Sequence, residues 1–128
     1  MNTKTLRPRQ FIEVLENPSL PRCGATGEHA EILRTLLVHM FFVDLDLAKG
    51  EVALLARVLP DVDVRKYIES AARRRLDLDQ LAALFPDPVD RDDIVTLAEH
   101  AVWSDSQVKG RELDLMDQLV EKLGVQRA

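Results

Sequence analysis

Apolar residues recur along this chain at three- and four-residue intervals, the spacing that lines one face of an α-helix. Pro8 to Glu16 is read as a short amphipathic helix carrying Phe11, Ile12, Val14 and Leu15. Asn17, Pro18, Pro21 and Gly24 then interrupt regular structure. A long helix is predicted from Glu28 to Val43, with Ile32, Leu33, Leu36, Leu37, Met40 and Phe41 on its apolar side. The next is expected over Lys49–Leu59, closed by Pro60, and a third over Val62–Arg75. Asp77, with Gln80 three residues on, reads as the N-cap of a short helix ending at Phe85. The stretch PDPVD is taken as a connector, and Asp90 as the cap of a helix that runs to Trp103 through Ile94, Leu97, Ala98, Ala101 and Val102. The last helix is placed at Gly110–Leu123, with Gly124 just past its end, where glycine relieves the left-handed turn. Alternating strand-type runs are absent. The expected fold is therefore all-α, a compact bundle of six or seven helices. Residues 1–27 are expected to form a peripheral segment with one short helix, and residues 28–128 the helical domain.

The same pattern occurs twice. Leu36–Leu59 aligns without a gap on Leu97–Val120 at a shift of 61 residues. Leu36, His39, Asp44, Glu51 and Leu54 fall on Leu97, His100, Asp105, Glu112 and Leu115. Apolar positions correspond as well: Phe41 with Val102, Phe42 with Trp103, Leu47 with Val108, Val58 with Leu119. Packing alone would conserve the leucines between two copies. It has less reason to keep a polar triplet at the spacing His-x4-Asp-x6-Glu. Each copy is read as helix, short loop, helix, with the His near the end of the first helix and the Glu in the first turn of the second. Residues five apart on one helix point about 140° away from each other, so His and Asp converge only where the helix stops near the Asp. Two related helical hairpins packed about an approximate twofold axis would bring both triplets toward one centre.

Composition narrows the classes. The chain has 128 residues, 46% apolar, and a net charge of −5. That is enough for one core and one domain. The acidic balance argues against a nucleic-acid surface. No apolar run reaches the roughly 20 residues of a membrane span, and the polar opening MNTKTLRPRQ lacks the apolar region of a signal peptide. The expected location is the cytoplasm. Cys23 is the single cysteine, which leaves no disulfide framework and no cysteine metal site.

His39, Asp44, Glu51, His100, Asp105 and Glu112 are the candidate ligands of a divalent metal ion. Imidazole with carboxylate suits zinc, iron or manganese better than calcium or magnesium, and zinc heads the expectation. Structural explanations compete with it. A His beside an apolar stripe is most often a satisfied boundary residue. Asp at a helix end is usually a loop residue. The Glu residues lack the usual capping-box partner, because Ala48 and Lys109 stand three residues before them. Asp44-x-Asp46 opens like an EF-hand loop, but Leu55 occupies the position of its closing Glu. The Glu-x-x-His pairs of di-iron bundles, His-Glu-x-x-His and Gly-rich phosphate loops are missing. Arg73-Arg74-Arg75 reads as a solvated helix end with a lower prospect of an acidic or phosphate partner.

The stretch FPDPVDRDDIVTLAEHAVWSDSQVKGRELDLMDQLVEKLGV resembles the C-terminal part of a TerB-like (tellurite-resistance) domain. That family closes with a helix, an Ala-Asp-Gly-Glu-like loop, a Glu-rich helix start and a Leu-Gly end. Here these are Ser104–Val108, Glu112 and Leu123-Gly124. His39 to Leu59 is similar to the family's first copy, with Asp44 and Glu51 in place, and the resemblance spans about residues 28 to 125. The glycine after the Asp is replaced by Leu45 and Ser106, and the next acidic position is kept as Asp46 but replaced by Gln107. The resemblance implies two related helical hairpins, an acidic site between them for which metal binding has been proposed, and a link to tellurite and other stress responses. It implies no reaction. The expectation is thus a metal-binding TerB-like domain with little catalysis of its own, since two His and two or more carboxylates fill a metal's positions. The competing expectation is a metal-free module for a protein partner or a second copy, with the repeated polar residues as structural caps. A metal-dependent hydrolase is the third class; no spare general base is evident for it.

Overall fold

The computed structural model describes residues 7–17, 19–21, 23–24, 27–41, 53, 55–59, 63–103 and 110–125, the side chains of 41, 101–103 and 110–113 excepted. Among these residues there are six helices and no strand: α1 Pro8–Glu16, α2 Glu28–Phe41, α3 Val64–Arg73, α4 Leu78–Leu84, α5 Pro88–Trp103 and α6 Gly110–Leu123. The all-α expectation holds. Of the helix expected at Lys49–Leu59, residues 49–52 and 54 lie outside the described residues, and Ala53, Leu55 and Ala56 are helical. Its end is seen as a turn in which Val58 N–H bonds the Leu55 carbonyl.

Local chemistry sets most of the boundaries. Pro8 opens α1 where a missing N–H costs nothing, and the Gln10 side chain accepts from the Arg7 backbone N–H at 3.0 Å. Asp63 caps α3 by accepting from Lys66 N–H at 3.2 Å. Asp77 caps α4 through Gln80 N–H at 3.1 Å, as the spacing predicts. The start of α5 differs from the reading of Asp90 as its cap. Asp87 is the cap: its carboxylate accepts from Val89 N–H at 2.8 Å, and its carbonyl receives Arg91 N–H. The reason is Pro88, whose fixed φ and absent N–H suit the first helical position. Asp90, one turn inside, is used instead in a salt bridge to Arg7 at 3.0 Å. Gly124 ends α6 at φ 67. Val125 N–H returns to the Val120 carbonyl and Gly124 N–H to Glu121, which together form a Schellman closure.

Helix α2 is the centre of the molecule. Every residue from Ile32 to Val38 is buried, together with Ala30 and Met40. A helix covered all round needs neighbours on every side, and α2 packs on α3, α4 and α5. Helix α5 in turn packs on α1, α2 and α6 and buries Ile94, Val95, Leu97 and Ala98. The segment before residue 28 contributes α1 to this same core through Phe11, Ile12 and Val14. Each fully buried Leu, Ile or Phe contributes about 1.5–3 kcal/mol.

Two of these pairings share a direction. Helix α1 runs beside α5 in the same sense, since Arg7 meets Asp90, Arg9 meets Asp93, and Glu16 meets His100. Helix α3 runs beside α2 in the same sense, since Tyr67 meets Glu31 and the Arg74 carbonyl meets His39. Helix α6 runs against α5, because Arg91 near the start of α5 reaches the Leu123 carbonyl at the end of α6.

Candidate functional site

Of the six candidate ligands, His39 and His100 are placed by the structure. Asp44, Glu51, Asp105 and the Glu112 side chain lie outside the described residues. His39 sits in the last turn of α2, partly buried. Its Nε2 is 2.9 Å from the Arg74 carbonyl, which closes the C-terminal end of α3. A carbonyl only accepts, so Nε2 carries the hydrogen and Nδ1 keeps the lone pair of the neutral ring. His100 lies in the last turn of α5. Its Nε2 is 2.9 Å from Glu16 Oε1 at the end of α1. An ionised carboxylate also only accepts, so the same tautomer follows for the neutral ring. Both histidines therefore stand at matching places on two helices that pack together, each with Nε2 committed to an oxygen. Histidines that bind metals are commonly held this way, with the second ring nitrogen tied to a carbonyl or carboxylate. Among the described residues, no three His, Cys, Asp or Glu side chains gather into a metal-holding group.

The third histidine has a structural task. His29 Nε2 lies 3.1 Å from the Leu84 carbonyl, and its ring stands edge-on to Phe85 at 5.1 Å. This fixes the start of α2 to the end of α4.

A polar cluster that the repeat did not reveal centres on α2. Arg34 is completely buried in the middle of α2. Its Nε donates to the Val58 carbonyl at 2.7 Å, Nη2 to the Cys23 carbonyl at 3.4 Å, and Nη1 to Glu31 at 3.1 Å. Its guanidinium lies over the Phe11 ring at 5.5 Å. The other Glu31 oxygen accepts from the Tyr67 hydroxyl and from Arg74 Nη1, the latter at 3.2 Å. Arg74 covers the Tyr67 ring. Burial works to raise the Glu31 pKa, but the hydrogen bonds from Tyr67 and Arg74 and the charge of Arg34 outweigh it and hold the carboxyl below its ordinary range. Burial, then the bond to Glu31 and its charge, push the Tyr67 phenol up to about 12. A general base works best with a pKa near the operating pH. A carboxylate held ionised and a phenol held neutral give no proton exchange near neutrality, so this cluster acts as a lock. Its signal in the sequence is the charged residue inside the apolar run ILRTLLV, which must bring its partners with it if the helix is buried.

Beside this lock opens a cleft of about 190 Å³, lined in part by Glu28, Thr35, Arg74, Arg75 and Gln80. Glu28 and Gln80 bond each other across its wall at 3.1 Å. Among the described residues no helix is long and apolar enough to cross a membrane. Comparison with protein-family models, with curated proteins and with solved structures finds no match to this chain.

Proposed function

We propose that this protein is a TerB-like, divalent-metal-binding helical domain of the stress-response type, with its site at the junction of two helix-loop-helix repeats. The metal would be held by His39 and His100 through Nδ1 and by carboxylates drawn from Asp44, Glu51, Asp105 and Glu112. The observation that supports this reading is the matched setting of the two histidines. Each ends a core helix, each gives Nε2–H to an oxygen on the end of a neighbouring helix, and that neighbour runs in the same sense. The pairing is also reciprocal. Helix α1, which leads into the first copy, packs along α5 of the second, and α3, which leads into the second, packs along α2 of the first. A shared two-sided site would need a pseudo-twofold arrangement, and reciprocal pairing is what such an arrangement would produce. A ligand set of two His and two or more carboxylates favours a sensory or structural metal over a catalytic one.

The test is elemental analysis of protein purified without a His-tag. One equivalent of a transition metal or zinc is expected, and none in the His39→Ala, His100→Ala double variant. An unchanged metal content in that variant would remove both histidines from the site.

The second reading is a metal-free interaction module. It is favoured by the fact that the Arg74 carbonyl and Glu16 already give both histidines a structural partner. Under that reading the purified protein carries no metal, and added zinc leaves its melting temperature unchanged.

A further inference from the structure

The arginines and lysines whose side chains are described divide into those with a partner and those without. Arg7, Arg9, Arg74 and Lys122 hold carboxylates, and Arg34, Arg57 and Arg91 donate to backbone carbonyls. Arg65, Lys66, Arg73 and Arg75 make no hydrogen bond or ion pair with any described residue, and all four are exposed. They fall on one helix and its exit. At 100° per residue, Arg65, Lys66 and Arg73 share an arc of about 100° on α3, opposite the side that buries Ile68 and Ala71. Glu69 lies in the same arc, but the face stays positive. Within residues 63–75 there are five basic side chains against two acidic ones, in a chain that carries 17 against 22. The cations are concentrated here, and the negative charge lies elsewhere.

The chain also carries the complement. On α6 the exposed residues Asp114, Asp117 and Glu121 fall within an arc of about 60°, away from the buried Leu119 and Leu123. None of the three forms a salt bridge with a described residue. The acidic row extends about 10 Å along its helix and the basic row about 12 Å, from the 1.5 Å rise per residue. The two rows do not serve each other within one molecule: α3 packs on α2, whereas α6 packs on α4 and α5.

We propose that the basic face of α3 docks the acidic face of α6 of a second copy of this chain. The contact joins two different surfaces, so it is head-to-tail and propagates into a ring or an open string of copies. One helix face against another is a small interface, at the low end of specific contacts. Exposed charge pairs add modestly to it and are screened by salt. The association is therefore weak, concentration-dependent and salt-sensitive.

Sedimentation equilibrium on the full chain tests this at about 20 mM and about 500 mM salt, where the screening length changes several-fold. At low salt the average mass should rise with concentration, and at high salt it should return to that of one chain. The variant R65E/K66E/R73E has two acidic faces, and D114K/D117K/E121K has two basic faces. Each alone should stay a single chain at low salt, and mixing the two should restore association. All six positions are exposed, and circular dichroism verifies that both variants are folded. The glutamine variant R65Q/K66Q/R73Q should weaken association without reversing charge. A wild type that stays single at every concentration overturns the proposal. So does association that either triple charge reversal leaves intact. Tight binding of a single-stranded oligonucleotide by α3 without self-association would assign the face to nucleic acid instead, and would overturn it equally.

Discussion

Arg34 brings a permanent charge to the centre of the molecule and satisfies it with one carboxylate, two carbonyls and an aromatic face. Removing it strands the Val58 and Cys23 carbonyls and opens a cavity. Arg34→Ala is expected to cost about 3–5 kcal/mol in urea unfolding, the range for breaking a buried pair from one side. In the background of Glu31→Gln the same change should cost measurably less, because the two residues share one network. Tyr67 offers a direct view of that network, since it is the only tyrosine in the chain. Phenolate absorbance should titrate near pH 12 in the wild type and move down toward 10 in Glu31→Gln. The sign for stability follows. The folded phenol has the higher pKa, so its contribution is complete below the unfolded value near 10 and is lost as pH rises through about 12. An unchanged midpoint in Glu31→Gln would show that burial alone sets the Tyr67 value.

At the scale of the helix, the boundaries that local chemistry sets were legible from the sequence. Asp77 with Gln80, the break after Glu16 and the glycine after Leu123 each depend on residues within one turn. The start of α5 shows where that reading fails. Asp87 and Asp90 both precede apolar positions, and only the weight given to Pro88 separates them. Asp87→Ala is expected to cost about 1 kcal/mol, the usual worth of an N-cap. Asp90→Ala should cost less, because its bond is a salt bridge to a half-exposed Arg7. Urea midpoints of the two variants check the order. A buried charge at Arg34 is signalled by its place in ILRTLLV, but its distant partners were illegible for a different reason. Beyond Glu31 one turn away, its acceptors are carbonyls, which any residue supplies, and they sit 11 and 24 positions away in segments without a motif.

At the scale of the whole molecule, the class was readable from the period of the apolar residues, and the pairing of helices was not. A peripheral role for the first 27 residues is a natural reading of their prolines and polar opening. Yet α1 buries Phe11 completely and lies along α5, more than 70 residues later in the chain. Such a partner is chosen by shape, by two salt bridges and by the His100–Glu16 hydrogen bond, which a sequence alone does not match up. The twofold reading has a global consequence. Metal that binds only the folded state stabilises it by mass action, by about 2.7 kcal/mol at a hundredfold excess over Kd. Zinc should raise the melting temperature of the wild type, a chelator should lower it, and both effects should vanish in the His39→Ala, His100→Ala variant.

The shared directions of α1 with α5 and of α3 with α2 have an electrostatic consequence. Peptide dipoles aligned along a helix leave about half a negative charge at its C-terminal end. Two helices that run side by side in the same sense place two such ends together, and they repel. In this molecule it happens twice, once where Glu16 meets His100 and once where the Arg74 carbonyl meets His39. At both places an imidazole gives its Nε2–H to an oxygen, the Arg74 backbone carbonyl in one and the Glu16 side chain in the other. Peptide dipoles alone thus add negative potential at both places, before any carboxylate is counted, and a histidine stands in the last turn beside each.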